Sequence, residues 1–172
     1  SVDEKIRRKP PIIGFRIVED GVGFTDDNWN SFKTLDSLKK ADKGCRGIGR
    51  LLWLKAFDRV LIDSSYLADG KIARRKFTFD VNAEVSEPQM DLVANPTVST
   101  RIELSGFNEK YATAIPNNVE KFALGLLEHC LWYFVRKQGV PTITIHDDGE
   151  EPIDLFSLFD EYMHTSASTS SF

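Results

Sequence analysis

Two glycine-rich stretches, each joined to a segment of regular structure, restrict the fold of this chain more than any other feature. The first, Gly21-Val22-Gly23, follows residues 12–18, whose apolar and β-branched side chains are typical of a buried strand. The second, residues 44–49, leads directly into residues 51–57, which favour a helix with a wide apolar face. Closely spaced glycines allow a sharp turn and the close approach of another group. The sequence therefore predicts a strand, a tight turn, a connection and a glycine-rich loop that starts a helix.

A glycine-rich loop at the start of a helix is suited to bind an anion. The first N–H groups of a helix have no intrahelical partners, and the helix dipole favours negative charge beside them. A dinucleotide-binding loop is a weaker interpretation of residues 44–49, because the glycine spacing is GxxGxG and no strand immediately precedes it.

The rest of the sequence predicts blocks of strands separated by helices. We expect strands at residues 59–64, 73–85, 99–104 and 141–146, and helices at residues 51–57, 116–137 and 153–163. Neighbouring strands within a block favour an α+β fold, a two-layer α/β sandwich whose mixed, mostly antiparallel sheet has helices on one face. Residues 1–163 are predicted to form one domain and residues 164–172 a frayed Ser/Thr tail. The large aromatic residues of the helices are expected in the core: Trp53, Phe57, Trp132 and Phe134.

Composition narrows the class of protein. The chain has 172 residues, of which 41% are hydrophobic, and this suffices for a core. The net charge of −4 gives no indication of nucleic-acid binding. No apolar run approaches the roughly 20 residues that span a bilayer, and the two cysteines form neither a disulfide framework nor a metal-ligand spacing. We expect a cytoplasmic protein with no bound metal of its own.

Together the two glycine stretches resemble the ATP-binding motifs of the GHKL superfamily, which comprises gyrase, heat-shock chaperone, histidine kinase and MutL proteins. Glu19-Asp20-Gly21-Val22-Gly23 is similar to the DxGxG box of these proteins. Gly44-Cys45-Arg46-Gly47-Ile48-Gly49 is similar to their GxxGxG box, which ends the nucleotide lid. Residues 25–43 have the length of that lid, and Thr100 is similar to a later threonine of the family. The resemblance covers residues 12–146.

The resemblance implies a Bergerat-type fold and an adenine site at the first box. A carboxylate at the end of the first strand would accept a hydrogen bond from the amine of adenine, and both Glu19 and Asp20 are candidates. Gly21 and Gly23 would let the backbone turn beneath the base. Thr100 would donate a hydrogen bond to the base edge or to a bound water.

The second box would hold the phosphates. The resemblance implies that backbone N–H groups at the start of the helix bind phosphate oxygens and that nearby cations neutralise their charge. The residues concerned are Lys43, Gly44, Gly47, Ile48, Gly49 and Arg50, with Lys39 or Lys40 as further candidates. The expected ligand is ATP, with Mg²⁺ in the complete domain, and lid closure would make a homodimer a candidate assembly.

The chain departs from the family pattern at two points. Glu19 stands where the family has Asp, so the base must shift or the strand must bulge. The family's catalytic Glu and its magnesium-binding Asn belong to a helix before the first strand, and only residues 1–11 precede that strand here. We therefore assign no catalytic residue and expect little or no hydrolysis. We also expect an exposed apolar sheet face that favours self-association.

Two other functions remain open at this stage. A non-catalytic interaction module would keep the fold without binding nucleotide, and the presence of Glu19 in place of Asp is one sign of it. A histidine-kinase-like phosphotransfer domain is a weaker alternative.

Overall fold

The chain divides into two compact units, which are described separately. The computed structural model describes residues 12–34, 49–80, 85–86, 88–92, 97–116, 118–136 and 139–168. The sheet unit lies within residues 12–113, and the helical unit includes the described residues from 114 onwards. The prediction of one domain over residues 1–163 stays a prediction.

The sheet unit contains five strands and three helices among its described residues. In chain order they are β1 (Gly14–Glu19), α1 (Asp26–Lys33), α2 (Gly49–Ala56), β2 (Phe57–Ala68), β3 (Lys71–Asp80), β4 (Gln89–Leu92), β5 (Ser99–Phe107) and α3 (Glu109–Ala112). The strand order in the sheet is β1-β5-β2-β3-β4, and every described pair is antiparallel. The predicted α+β class with a mostly antiparallel sheet is confirmed.

One face of this sheet carries the core. Side chains alternate between the two faces along a strand, so every second residue of β2 and β3 is buried. The core cluster combines apolar residues of β2 and β3 with one residue each from α1 and β5: Trp29, Phe57, Val60, Ile62, Phe77, Phe79 and Leu104. Phe32 of α1 and Trp53 and Leu54 of α2 are partly buried and pack against this cluster. Helices therefore cover this face, as the sequence predicted.

Strands β2 and β3 form a tight hairpin. Their turn consists of Asp69 and Gly70, which have positive φ angles of 49° and 74°. Two consecutive residues in this region are typical of the type I′ turn, whose twist matches that of antiparallel strands.

Strand β1 lies at the edge of the sheet and is not the buried strand that its composition predicts. It pairs with β5 alone among the described strands. Ile13, just before it, is 80% exposed, and Val18 within it is 63% exposed. The β-branched run indicated a strand correctly, but burial depends on a neighbour that the composition of the strand itself does not reveal.

The helical unit contains a long helix, a short strand pair and a second helix. These are α4 (Val119–Val135), β6 (Thr144–Ile145), β7 (Ile153–Asp154) and α5 (Leu155–Ser168). Asn118 caps α4 by accepting a hydrogen bond from the backbone N–H of Lys121 at 2.9 Å. The core of the unit consists of Ala123, Leu127, Phe134 and Leu155.

Three expectations about this unit need correction or refinement. Trp132 is 62% exposed and is not a core residue, because it lies on the side of α4 away from Leu127 and Phe134. The predicted strand over residues 141–146 shortens to β6. Helix α5 continues through residues 164–168, where the sequence predicted the start of a tail. None of the helices in the described part of the chain is both long and apolar enough to cross a membrane.

An ion pair on the other face of the hairpin makes stability depend on pH. Arg74 Nε and Nη2 donate to the two carboxylate oxygens of Asp63 at 2.7 and 2.5 Å. The hydrogen bonds from Arg74 hold the pKa of Asp63 below its ordinary value of 3.8. A lowered pKa gives stability that is present above pH 3.8 and is lost as the pH falls through the lower, folded-state pKa.

We predict that Asp63→Asn lowers the free energy of unfolding at pH 7 by about 0.5–1 kcal/mol, because the pair is partly exposed. The difference between wild type and variant should shrink as the pH is lowered from 3.8. Urea denaturation in steps between pH 7 and pH 3 measures both. A difference that stays constant over this range would contradict the assignment.

Candidate functional site

One row of polar side chains follows two apolar rows on the core face of the sheet. Antiparallel register partners share a face, so side chains on β1, β5, β2 and β3 form rows across the sheet. Two rows are apolar: Phe15, Leu104, Val60 and Phe79, and then Ile17, Ile102, Ile62 and Phe77. The next row, called the polar row below, consists of Glu19, Thr100, Ser64 and Arg75. A polar row that continues an apolar face places hydrogen-bonding groups at the edge of the core.

The centre of the polar row is a buried hydroxyl pair. Ser64 is fully buried and Thr100 is 1% exposed, and their hydroxyl oxygens lie 2.9 Å apart. Ser64 Oγ also accepts a hydrogen bond from the backbone N–H of Phe24 at 2.9 Å. Buried hydroxyls need such partners, because an unpaired one costs about 1–3 kcal/mol. The pair therefore connects the sheet to the segment that follows the first glycine turn.

The residues of the first glycine turn line a pocket. Glu19 ends β1, and its Oε2 accepts a hydrogen bond from the backbone N–H of Gly21 at 2.6 Å. The pocket has a volume of about 480 Å³. Its lining combines the turn with two apolar residues from the strand ends: Asp20, Gly21, Val22, Thr25, Leu67 and Val98. The pocket is open to solvent, and its volume lies within the range of small-molecule sites.

Gly23 touches the sheet more closely than any other residue type allows. Its φ angle is +74°, and a Cβ atom there would lie 2.8 Å from Ser64 Oγ and 3.0 Å from Tyr66 Cβ. Its carbonyl oxygen accepts a hydrogen bond from Asn28 Nδ2 at 2.6 Å. Gly23 is thus required both by its backbone conformation and by the space available.

Arg75, at the far end of the polar row, is a buried cation. The residue is 3% exposed, and its guanidinium donates to the carbonyl oxygen of Phe24 and to Asp26 Oδ1, the latter at 2.5 Å. The guanidinium carbon lies 5.5 Å from the ring centre of Trp29 and 5.0 Å from that of Tyr66. Burial raises the pKa of the Tyr66 hydroxyl, so the ring beside the cation stays neutral.

Five of the predicted site residues come together in this region: Glu19, Asp20, Gly21, Gly23 and Thr100. Gly49 and Arg50 start α2, where the guanidinium of Arg50 lies 4.9 Å from the ring centre of Phe32. Partial burial lowers the pKa of Arg50. The other predicted residues lie outside the described part of the chain: Lys39, Lys40, Lys43, Gly44, Gly47 and Ile48.

Sequence reasoning missed Ser64 and Arg75. A signal for both was present in the alternation of their strands, since Ser64 continues the buried positions Val60 and Ile62, and Arg75 continues Phe79 and Phe77. A polar residue at a position that the alternation assigns to the core is informative, because such residues are buried only when they have partners.

Comparisons with known proteins give matches among the solved structures. No family model matches the chain, and no curated protein matches it either. Among the solved structures 29 chains match, and one of them is the ATPase region of Saccharomyces cerevisiae topoisomerase II. That match has a TM-score of 0.45 and 12% sequence identity over 60% of this chain. The matched part spans 31% of the topoisomerase chain, and the likeness assigns no residue a role.

We predict that Gly23→Ala destabilises the protein by about 2–3 kcal/mol, and that Gly70→Ala costs only about 1–2 kcal/mol. Both glycines have a φ of +74°, so an alanine meets the same backbone strain at each. Only Gly23 faces Ser64 and Tyr66 at contact distance, whereas nothing lies within 4 Å of a Cβ at Gly70.

The comparison of these two variants isolates the contact from the backbone conformation. Chemical denaturation of both variants and the wild type gives the two free-energy differences. Equal losses would mean that the close approach of Gly23 to the sheet contributes nothing.

Proposed function

We propose that this chain is an ATP-binding domain of GHKL type, with the adenine site at the end of β1. The observation that carries the proposal is the pairing of Glu19 with Thr100 in the β1–β5 register. These residues are far apart in the sequence, and the resemblance makes Glu19 a candidate for the adenine amine and Thr100 a candidate for the base edge or a bound water. Their meeting on one face, beside a pocket lined by the glycine turn, supports the assignment.

The chemistry of the polar row suits the edge of adenine. A carboxylate accepts hydrogen bonds only, and adenine presents an exocyclic amine where guanine presents a carbonyl oxygen. Oε2 of Glu19 already accepts the N–H of Gly21, which orients the group, and Oε1 is the atom that would accept the amine. The hydroxyl of Thr100, hydrogen-bonded to Ser64, supplies a group that can both donate and accept.

Glu19 is the better candidate for the amine contact, and Asp20 forms part of the pocket wall. Glu19 is the register partner of Thr100 and so shares its face, whereas Asp20 follows the last residue of β1 and has no register partner. Asp20 lines the pocket together with Gly21 and Val22.

The phosphates are proposed to bind at the start of α2. For the residues of the second glycine box that precede Gly49, this proposal rests on the sequence alone. Gly49 and Arg50 begin this helix, and an N-terminus preceded by glycines binds anions. Within the described residues no cluster of three acidic, histidine or cysteine side chains is placed to hold a metal. The proposal therefore assigns no Mg²⁺ ligand to the described chain, and Mg²⁺ would accompany the nucleotide.

Calorimetric titration with a non-hydrolysable ATP analogue tests the proposal. We expect saturable binding, which Glu19→Gln weakens about tenfold or more, because the single amide oxygen cannot accept from both the amine of the base and the N–H of Gly21. Asp20→Asn should change the affinity by less than about threefold. A matched GTP analogue should bind at least about tenfold more weakly than the ATP analogue, since its carbonyl oxygen would face a carboxylate.

Each alternative has its own result. A loss in Asp20→Asn with normal binding in Glu19→Gln would move the amine contact to Asp20. Gly47→Val, which crowds the proposed phosphate loop, should abolish binding while leaving the sheet folded. Absence of binding for the wild type, in the presence of native circular dichroism, would reject the proposal and favour the non-catalytic interaction module.

We also predict that this chain releases phosphate from ATP at a rate no more than about tenfold above the rate of the Gly47→Val variant, which serves as the control. A general base must reach the attacking water, and the proposal assigns Glu19 to the adenine end of the nucleotide while Asp26 pairs with Arg75. A steady-state phosphate assay at saturating ATP measures the rate. Turnover well above the control would show that a base lies elsewhere in the chain.

A further inference from the structure

Arg75 occupies a position that requires explanation. Arginine is almost never buried unless it is paired, and this one is on the core face of a strand with its neighbours Phe77 and Ala73 also buried. Its Nε atom has no hydrogen-bond partner among the described residues. A residue that served packing alone would be apolar here, since replacing buried ionic groups by apolar ones is often neutral or stabilising.

Arg75 contacts Phe24 and Asp26, which belong to the segment that follows the glycine turn beside the pocket. The backbone of Phe24 is held on both sides, because Ser64 Oγ accepts the hydrogen bond from its N–H and the guanidinium of Arg75 donates to its carbonyl oxygen. Val22 and Thr25, which lie on either side of this segment in sequence, line the pocket. The location of the wall relative to β2 and β3 is therefore set by two side chains of the polar row.

Arg75 also contacts the first residue of α1. Asp26 begins this helix, and its side chain is 84% exposed although it pairs with a guanidinium that is 4% exposed. Asn28 adds a third link by donating to the carbonyl oxygen of Gly23. Through these contacts, one cation connects β3, the pocket wall and the start of the helix that follows it.

We infer that Arg75 is a positioning residue of the pocket, which sets nucleotide affinity by holding residues 23–26 and makes no contact with the ligand. This inference rests on the proposed function. A positioning role differs from a purely stabilising role in one measurable way. Replacing Arg75 must lower the affinity for the ligand in protein that is still folded, and it must do so more than an equally large substitution at a neighbouring position.

Arg74 provides the matched control. It is the adjacent arginine of the same strand, it faces the other side of the sheet, and it pairs with Asp63. Met resembles Arg in length and lacks both charge and donors, so Arg75→Met and Arg74→Met remove the same groups from the two faces. Lys at position 75 keeps the charge but lacks the planar fork that bonds to two acceptors at once.

Titration of the full chain with the non-hydrolysable ATP analogue should give about a tenfold or greater loss of affinity in Arg75→Met and a change within about twofold in Arg74→Met. Arg75→Lys and Asp26→Asn should give intermediate losses, because each removes part of the contact. Wild-type affinity in Arg75→Met, or an equal loss in Arg74→Met, would overturn the inference.

Hydrogen exchange of the nucleotide-free protein separates this inference from the proposed function. The Phe24 amide should exchange at least about tenfold faster in Arg75→Met than in the wild type, while the Ile62 amide at the centre of β2 keeps its protection. If the wild type binds no nucleotide, the proposed function fails, and unchanged exchange at Phe24 would overturn the positioning role as well. If Arg75→Met does not fold, the same two measurements on Arg75→Lys and Asp26→Asn decide the matter.

Discussion

The register of β2 against its two neighbours is the constraint on which the candidate site depends. β2 pairs with β5 on one side and β3 on the other, so the position of Ser64 fixes both Thr100 and Arg75 beside it. A shift of one residue in either pairing would move a whole set of side chains to the opposite face. The apolar positions Val60 and Ile62 oppose such a shift, because it would expose them to water. The core therefore holds the polar row in place, although no member of the row contributes to the apolar cluster.

Much of the fold could be predicted because local patterns determine it. The β-branched run before Gly21 indicated β1, the alternation of Phe77 and Phe79 indicated β3, and the apolar stripe after Asn118 indicated α4. The Asp69-Gly70 pair is a further local signal, which is typical of the hairpin that the structure contains. Burial was harder to predict, because it depends on partners distant in the sequence. Composition alone made β1 resemble an interior strand and Trp132 a core residue, and both are exposed.

The candidate site was predictable to the extent that glycines mark it. Gly21 and Gly23 stood out because two glycines directly after a strand mark a tight turn, and Glu19 and Thr100 followed from the resemblance. Ser64 and Arg75 carry no motif. Their importance comes from a three-dimensional fact, that the alternation of two long strands brings a hydroxyl and a guanidinium under the same backbone segment. No pattern within either strand specifies which loop will cover it.

The two-residue turn at Asp69 and Gly70 has a consequence for the order in which the site forms. Contacts between residues that are close in sequence form quickly, whereas pairing across long separations first requires the entropy of closing a large loop. Ser64 and Arg75 face each other within the hairpin, so their half of the polar row can assemble as soon as that hairpin does. Glu19 and Thr100 join it only when β1 and β5 dock from distant parts of the chain. A folding chain would thus bring Ser64 and Arg75 together before Glu19 and Thr100, the groups proposed to recognise the base, take their places beside them.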